Sequence, residues 1–510
     1  MHVPPSTSTA SSHVASSSSP ARAPRGAWLP LVAALLLAGC ASMAPPHERP
    51  AVPLPAQFEA APAGTGANAE NATNAAALAW RDYFGDPALQ ALIEQALAAN
   101  HELRSAVLRV QEAQAAYGVQ RSARWPTLGL SAEASRSRTP ADLSLAGRAV
   151  TADQFQAGVG ISSWEIDFWG RIASLDEAAL QSFLATDAAR RATTVALIAQ
   201  VADTYLAVRE LDERLLLAQD SASSQRASLR IFTRRFEVGS ASRLELTQVQ
   251  TLRAQADALV VQLQQQRAQQ GHALDLLLAG PAALPPMPAP AQIQAAWQLP
   301  ALAADLPSEL LLQRPDIAAA EHQLRAANAQ IGAARAAFFP SIRLTAFGGT
   351  ASDALEGLFK GSGRAWSFAP SLSLPLFDAG RNQSNLDLAQ VRRNLAVVQY
   401  EQAVQSAFRE VADALAARRW QAEQLQVHSE ALEVQRERAR LSRLAYDNGA
   451  SAFLDVLDAE RTLISAHQQL AQTRRALLAS QVALYRALGG GSQQLPDAPL
   501  LSRSDPATPR

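Results

Sequence analysis

Long stretches of this chain have the hydrophobic spacing of helices that pack side by side. Residues 172–238 contain neither proline nor glycine, and their apolar positions fall three and four apart, at Val201, Val208, Leu211, Leu215 and Ala218. Residues 449–488 lack proline and internal glycine and place leucines at intervals of seven, at Leu463, Leu470, Leu477 and Leu484. A sustained heptad predicts coiled-coil packing. About 67 helical residues at 1.5 Å each predict a rod of roughly 100 Å.

Shorter segments alternate between apolar and polar or small residues. The alternating positions are Leu128, Leu130, Ala132 and Ala134, then Ile342, Leu344 and Ala346, and then the even positions from Trp366 to Leu376. A period of two predicts strands with one apolar face. Pro370 and Pro375 are unfavourable inside a central strand, so the pairing of the last run stays open.

The same plan occurs twice along the chain. Gly170-Arg171 matches Gly380-Arg381, Val201-Ala202-Asp203 matches Val411-Ala412-Asp413, and Phe236-x-x-Gly239 matches Tyr446-x-x-Gly449, each pair 210 residues apart. A further match around Trp125-Pro126 and Phe339-Pro340 has an offset of 214. Ordered matches at nearly constant spacing predict a duplicated unit. Each copy is predicted to have a first helix (residues 87–124 and 315–338), two strands and a long helical hairpin.

These patterns set the expected domain boundaries. They are a signal peptide with a Ser/Pro-rich leader at 1–39, an N-terminal linker at 40–77, a first repeat at 78–279, a Pro/Ala-rich linker at 280–305, a second repeat at 306–490 and a tail at 491–510.

Two copies supply four strands, which is too few to close a barrel, since bacterial barrels begin at about eight. The sheet edges would be left unpaired and its apolar face would need lipid or a partner. Several chains that complete one barrel satisfy both demands. We therefore predict a membrane α+β fold with the helical rods extending to one side as a tube. The alternative is a soluble α+β lipoprotein whose short sheet packs against its own helices.

Composition excludes several classes of function. The formal net charge is −1, which gives no reason to expect nucleic acid as a partner. The eight histidines form no metal-binding motif, and we find no nucleotide-binding loop or nucleophile elbow. We expect neither enzymatic activity nor a metal or cofactor, and energy for any transport must come from a partner.

The chain contains a single cysteine, Cys40, at the end of a short apolar run. Arg22 and Arg25 precede that run, which at residues 27–38 is too short to span a membrane and has the form of a signal segment. Residues 37–40 resemble the lipobox of bacterial lipoproteins. The resemblance implies that Cys40 carries covalent lipid, and Ala41-Ser42 after it favours the outer membrane. The alternative is an ordinary buried cysteine near a signal peptide.

Four motifs together resemble the TolC-like outer-membrane factor family, in its NodT-type efflux lipoprotein branch. They are residues 80–93 (Trp-Arg-Asp-Tyr-Phe-Gly-Asp-Pro and the following leucines), residues 306–317 (Leu-Pro-Ser-Glu-Leu-Leu and Arg-Pro-Asp-Ile), residues 375–381 and residues 446–461. The resemblance runs from about residue 78 to residue 488.

That resemblance implies a homotrimer with a twelve-stranded outer-membrane barrel and a long periplasmic helical barrel. It also implies two partners: a periplasmic adaptor protein and an inner-membrane pump of the resistance-nodulation-division type. The expected function is a passive exit duct for drugs or other toxic small molecules. Two alternatives remain: a duct for protein secretion, and a pore-free coiled-coil lipoprotein.

The resemblance also implies a gate near the second helical turn. The matching positions are Leu454, Asp458 and Arg461, which would form an apolar constriction, an acidic ring and an ion-pairing arginine. The first copy has Gln248 where the second has Asp458, so only one acidic ring is expected. The alternative makes Asp458 and Arg461 an ordinary surface pair three residues apart. Gly239 and Gly449 are candidate adaptor contacts, although a glycine at a helix end also supplies a left-handed conformation.

Overall fold

The computed structural model describes residues 43–53, 55, 75–145, 147–286, 299–300, 302 and 308–496. The signal peptide, Cys40, residues 56–74, most of the linker at 280–305 and residues 497–510 lie outside the described residues. The principal elements are α1 (Pro87–Ala99), α2 (His101–Ser122), β1 (Leu128–Thr139), β2 (Val150–Ile166), α3 (Arg171–Glu237), α4 (Arg243–Leu278), α5 (Pro315–Ala336), β3 (Ser341–Ser352), β4 (Arg364–Ser373), α6 (Arg381–Asp447) and α7 (Phe453–Ala487).

The long uninterrupted helices confirm the spacing argument. Helix α3 has 67 residues and lies within one residue of the predicted boundaries at both ends. Helix α6 also has 67 residues and begins 210 residues later, at Arg381. Helices α4 and α7, which return from the turns, have 36 and 35 residues. No helix among the described residues carries an apolar stretch long enough to cross a membrane.

The predicted continuous helix over residues 87–124 is wrong, because the chain breaks at Asn100. This residue has an extended conformation (φ −60°, ψ 128°), and its side-chain oxygen accepts hydrogen bonds from the amides of Glu102 and Leu103 at 2.9 and 3.0 Å. Its side-chain nitrogen donates to the Leu277 carbonyl at 2.9 Å. An asparagine that caps a new helix favours a break over continuation. In the second copy, helix α5 (Pro315–Ala336) agrees with the prediction to within two residues.

The four strands form one antiparallel sheet in the order β1-β2-β3-β4. Leu130 pairs with Val159, Val159 with Gly348, and Gly348 with Trp366. This register places the predicted apolar positions of all the strands on one face. The opposite face carries small and polar residues, among them Ser131, Glu133, Gln156, Arg343 and Ser371.

A β-bulge in β2 keeps the apolar face continuous. Ile161 pairs with Ala346, but the next pair is Trp164 with Leu344, so β2 contains one extra residue. Ser163 lies in this bulge with φ of 53°. Because a shift of one residue would turn every following side chain to the other face, the bulge moves Trp164 onto the apolar side.

Pro370 and Pro375 are accommodated at the margin of the sheet. Within one chain β4 is the outer strand of the sheet, and Pro370 lies within it opposite Leu344. The prediction that the strand continues through Leu374 and Leu376 is wrong, because β4 ends at Ser373.

The helices form one layer, and the long helices contact different neighbours near the sheet and near the turns. Near the sheet, α3 packs between α2 and α5, and α5 also packs against α6. Beyond the middle, α3 packs between α4 and α7, and α7 also packs against α6. The main core lies at the middle of α3, where the buried rings of Tyr83 and Tyr485 stack at 4.3 Å. Gly490 lies against the Tyr485 ring, where any side chain would clash, and α7 ends just before it.

Candidate functional site at the hairpin turns

The predicted gate residues and candidate adaptor contacts lie where the two hairpins turn, at the end of the helices farthest from the sheet. Gly239 and Gly449 both have a left-handed backbone, with φ of 76° and 75°. The amide of Ser240 donates to the Arg235 carbonyl at 2.7 Å, and the amide of Ala450 donates to the Ala445 carbonyl at 2.8 Å. This pattern closes the end of a helix and requires a residue that tolerates positive φ. The turn geometry thus accounts for both glycines, and their role as adaptor contacts stays a prediction.

The two turns begin their second helices differently. Ser242 and Glu245 form a reciprocal capping box at the start of α4. The cap of α7 is Ala452, whose side chain cannot accept a hydrogen bond. The first turn of α7, which carries Leu454 and precedes Asp458 and Arg461, is therefore held by packing rather than by a side-chain cap.

A small apolar cluster joins the two hairpins at this end. It contains Phe232 and Val249 from the first hairpin and Phe453, Val456 and Leu457 from the second. The rings of Phe232 and Phe453 lie 4.3 Å apart. The Arg235 guanidinium donates a short hydrogen bond to the Tyr446 hydroxyl across the same boundary.

Leu454, Asp458 and Arg461 lie on one accessible face of α7. Leu454 is 51% exposed, which leaves its side chain free for contact with another surface. Arg461 donates to the Asp458 carboxylate at 2.7 Å, as their spacing of three residues predicts. The structure thus brings together the three residues that the sequence selects.

Arg438 is a partner that the sequence analysis missed. It lies on α6 and donates to the Asp458 carboxylate at 2.7 Å, so this carboxylate bridges two helices as well as pairing within its own. The hydrogen bond from Arg438, with a contribution from Arg461, holds the pKa of Asp458 below its ordinary value of 3.8. No periodicity within one helix could have revealed a contact between positions 438 and 458.

Glu460 is a second carboxylate that the sequence analysis did not select. It is half-buried between α7 and α3, where Gln225 donates to it at 3.1 Å and the Arg443 guanidinium lies 4.0 Å away. Partial burial raises the pKa of Glu460 above its ordinary value of 4.5, and Arg443 and Gln225 oppose that effect. The turn end therefore contains one carboxylate whose ionised form is stabilised by arginines and one whose ionised form is disfavoured by burial.

The segment that follows Cys40 lies along α5. His47 and Arg49 contact the Glu321 carboxylate at 3.3 and 2.8 Å, and Arg335 donates to the Met43 carbonyl at 3.1 Å. Gly332 admits the backbone of this segment, because a Cβ atom there would lie 2.8 Å from the Ala44 nitrogen. Met43 therefore lies near the sheet end of α5. Among the described residues, no group of three or more potential metal ligands occurs.

Known proteins share both the sequence and the architecture of this chain. A family model described as outer membrane efflux protein matches residues 92–280 and 306–490. The solvent efflux pump outer membrane protein SrpC of Pseudomonas putida is 42% identical over 465 residues, which are 91% of this chain and 98% of that protein. The cation efflux system protein CusC of Escherichia coli is 40% identical over 466 residues, which are 91% and 99% of the two chains.

Solved structures agree with the sequence relatives. The crystal structure of the open state of the Neisseria gonorrhoeae MtrE outer membrane channel has a TM-score of 0.78 and 38% identity, and the match covers 88% of this chain and 98% of that one. This chain therefore shares its four-stranded sheet and long helical hairpins with an outer membrane channel. The chain belongs to the outer membrane efflux protein family, which confirms the predicted family resemblance. The same matches confirm the prediction that the protein is located in the outer membrane.

Proposed function

We propose that this outer membrane efflux protein is a lipid-anchored homotrimer that forms the passive exit duct of a tripartite pump. The observation that carries the proposal is the sheet, which has a continuous apolar face, a polar opposite face and two unpaired edges, β1 and β4. Four strands cannot close on themselves. Three copies supply twelve strands, with the apolar face toward lipid and the polar face toward a water-filled channel.

Helix α6 supports the same assembly. Near the sheet it exposes Leu388, Val391, Leu395 and Val398, and farther along it exposes Trp420, Val427, Val434 and Leu441. The second set recurs every seven residues, as in a coiled-coil seam. Since α6 lies at one margin of the helical layer, this stripe faces away from the α5 and α7 contacts. We infer that it packs against α2 and α4 of a neighbouring copy.

The matched helix lengths support the duplication predicted from the sequence. Helices α3 and α6 have equal lengths and begin 210 residues apart, so each copy contributes one hairpin to the tube. Three chains would then arrange six hairpins around a common axis. In that arrangement Asp458 and Arg461 would close the narrow end, with one acidic ring rather than two because Gln248 replaces the acid in the first hairpin. Because Arg438 and Arg461 both pair with Asp458, these ion pairs rather than an unpaired acidic ring would hold the narrow end closed.

The cargo is proposed from the relatives. Relatives that are 39–42% identical to this chain are named for solvent, toluene, antibiotic or cation efflux. We propose toxic small molecules as the cargo of this chain, supplied by an inner-membrane pump of the resistance-nodulation-division type through a periplasmic adaptor. The duct itself contributes no energy and no chemical step.

The position of Met43 supports lipid attachment at Cys40. Met43, the first described residue, lies near the sheet end of α5, which is the end that the proposed assembly places at the membrane. Replacement by serine, Cys40→Ser, is expected to abolish lipid labelling and to lower the amount of trimer in the outer membrane several-fold. Unchanged labelling and an unchanged outer-membrane yield would rule out the anchor.

The proposed function is tested by efflux in cells that lack their own outer membrane channels. Cells that express the chain together with its adaptor and pump should accumulate less of an apolar fluorescent dye than cells without the chain. Leu395→Arg, on the exposed stripe of α6, should prevent trimer formation and restore accumulation, whereas Leu145→Arg in an exposed loop should not. Normal efflux by a monomeric Leu395→Arg protein would contradict the trimeric duct.

A further inference from the structure

A cavity of about 330 Å³ lies at the junction between the sheet and the helices, and we name it the junction cavity. Its lining comes from the segment between β2 and α3, the end of α5, the start of β3, the end of β4 and the start of α6. Segments that are distant in the sequence therefore meet at this one place. A cavity of this volume is in the range that holds a small organic molecule.

Two aromatic rings form one wall of the junction cavity. The rings of Trp169 and Phe339 lie 4.7 Å apart, with 28° between their planes. The Trp169 indole nitrogen donates to the Pro340 carbonyl at 2.9 Å, which fixes the orientation of that ring. Phe339 is 42% exposed, although it packs against Trp169. A wall of this kind offers a surface on which a planar aromatic molecule can stack.

Three arginines and two carboxylates line the same cavity, and both carboxylates are already engaged. Arg171 donates two hydrogen bonds to Glu165, at 2.7 and 2.9 Å, and Asp167 accepts a hydrogen bond from the Ala173 amide at 2.7 Å. Arg343 lies 3.9 Å from the Glu165 carboxylate, which is too far for a hydrogen bond. The donors of the Arg343 guanidinium are therefore available for another acceptor.

The third arginine, Arg381, has no carboxylate partner among the described residues. A comparison of the two repeats gives the reason. Arg381 lies 210 residues after Arg171, but Pro375 lies 210 residues after Glu165 and cannot form the matching ion pair. Asp378, which is the nearest carboxylate in the sequence, instead accepts hydrogen bonds from two backbone amides at the start of α6, at 3.0 and 2.9 Å. The unpaired guanidinium is therefore a feature of the second repeat alone.

The junction cavity lies on the polar face of the sheet. Glu165 pairs with Arg343 across β2 and β3, and Ser341 pairs with Ser373 across β3 and β4. All four residues belong to the polar face and line the cavity. In the proposed assembly that face surrounds the channel, so a molecule would reach the cavity from the duct rather than from lipid. Three copies would place three such cavities at one level, where the barrel meets the helical tube.

We propose that the junction cavity binds aromatic carboxylates that pass through the duct, an inference that rests on the proposed function and names one class of its cargo. The aromatic ring stacks on the wall formed by Trp169 and Phe339. The carboxylate accepts hydrogen bonds from Arg381 and Arg343, because an arginine presents a planar fork of donors that matches this group. An uncharged aromatic molecule would lack these hydrogen bonds, and a small inorganic anion would lack the stacking.

Binding is tested by equilibrium dialysis of 2-naphthoate against the purified full chain in lipid nanodiscs, with empty nanodiscs as the blank. The expected result is one bound naphthoate per chain. Neither 2-naphthylmethanol, which has the same rings without the charge, nor inorganic phosphate should displace it at equal concentration. Displacement by the alcohol would indicate an apolar surface, and displacement by phosphate would indicate a simple anion site that a lipid headgroup could equally fill. Either displacement, or no binding of naphthoate, overturns the proposal.

Single substitutions then test the assigned residues. Arg381→Gln and Arg343→Gln should each weaken naphthoate binding about tenfold, the usual cost of losing a hydrogen bond to a charged group. Both arginines are exposed, so neither substitution removes a buried contact. The control Arg364→Gln removes an arginine at the opposite end of β4 and should leave binding nearly unchanged. Unchanged binding in Arg381→Gln, or an equal loss in the control, would contradict the assignment.

Dye efflux by the parent chain separates failure of this site from failure of the proposed duct. Normal dye efflux without naphthoate binding would remove the junction site and leave the duct in place. Absence of dye efflux from cells that contain the adaptor and pump would contradict the duct, and with it the passage of any cargo past the cavity.

Discussion

The ring of Phe232 lies 4.3 Å from the ring of Phe453, and this contact joins the turn ends of the two hairpins within one subunit. Phe232 belongs to α3 and Phe453 to the first turn of α7, so the hairpins cannot separate at this end without breaking an apolar cluster. Any opening of the tube must either move both hairpins together or break this contact.

Phe453→Ala should loosen the turn end. Removal of a buried phenylalanine side chain costs about 3–5 kcal/mol, and here the loss falls on contacts between hairpins. Limited proteolysis within residues 448–452 should become faster, and single-channel currents should become larger and noisier. Phe359→Ala, which truncates an exposed ring in a loop between strands, is the control and should behave like the parent. Cleavage at the parent rate in Phe453→Ala would show that the cluster does not hold the hairpins.

Glu460→Gln should stabilise the turn end at neutral pH. Burial raises the pKa of Glu460 in the folded protein above 4.5, so between 4.5 and that raised value the folded state binds more protons than the unfolded state. The parent therefore loses stability as pH rises through this interval, whereas the glutamine variant does not. Amide exchange at residues 453–462 should be slower in the variant at pH 7.5 and equal in both proteins below pH 4.5.

The matched control for this titration is Glu433→Gln, because Glu433 pairs with Arg436 on an exposed surface. Glu433→Gln should change amide exchange at residues 453–462 only slightly, and this small difference from the parent should not disappear below pH 4.5. Faster exchange in Glu460→Gln at pH 7.5 would mean that the ionised carboxylate stabilises the turn through Arg443 and Gln225, which is the opposite of the expected effect.

Asn100→Ala should destabilise the helical region by about 1–2 kcal/mol, the usual cost of removing a helix cap. Asn100→Asp keeps the acceptor for Glu102 and Leu103 but loses the donor to the Leu277 carbonyl, so it separates the two roles. Thermal unfolding should rank the parent first, then Asn100→Asp, then Asn100→Ala. An alanine variant as stable as the parent would indicate that packing alone sets the break between α1 and α2.

The sequence predicted the features that depend on local periodicity. The long helix over 171–237 contains no residue that stops a helix, and the strands alternate over enough residues to define a face. The break at Asn100 was missed because its stabilising acceptor, Leu277, is 177 residues away. The bulge at Ser163 depends on register against β3, which no single strand reveals.

The candidate site likewise contains residues related by local spacing and a contact that only the folded structure reveals. The family resemblance selects Leu454, Asp458 and Arg461, and their spacing of four and three residues places them on one helix face. Arg438 reaches Asp458 from another helix, α6, and this contact can be predicted only when it is known which helices are neighbours.

The most direct test of a channel gated at Asp458 is the single-channel conductance of the purified protein in planar bilayers, compared with Asp458→Ala. Gln248→Ala, at the equivalent position of the first hairpin, is the matched control. We predict a small conductance for the parent and the control and a conductance several-fold larger for Asp458→Ala, with a similar increase for Arg438→Ala because it removes the same ion pair. Equal conductance in all four proteins would contradict a gate at Asp458, and no conductance from inserted trimers of any of them would contradict the channel.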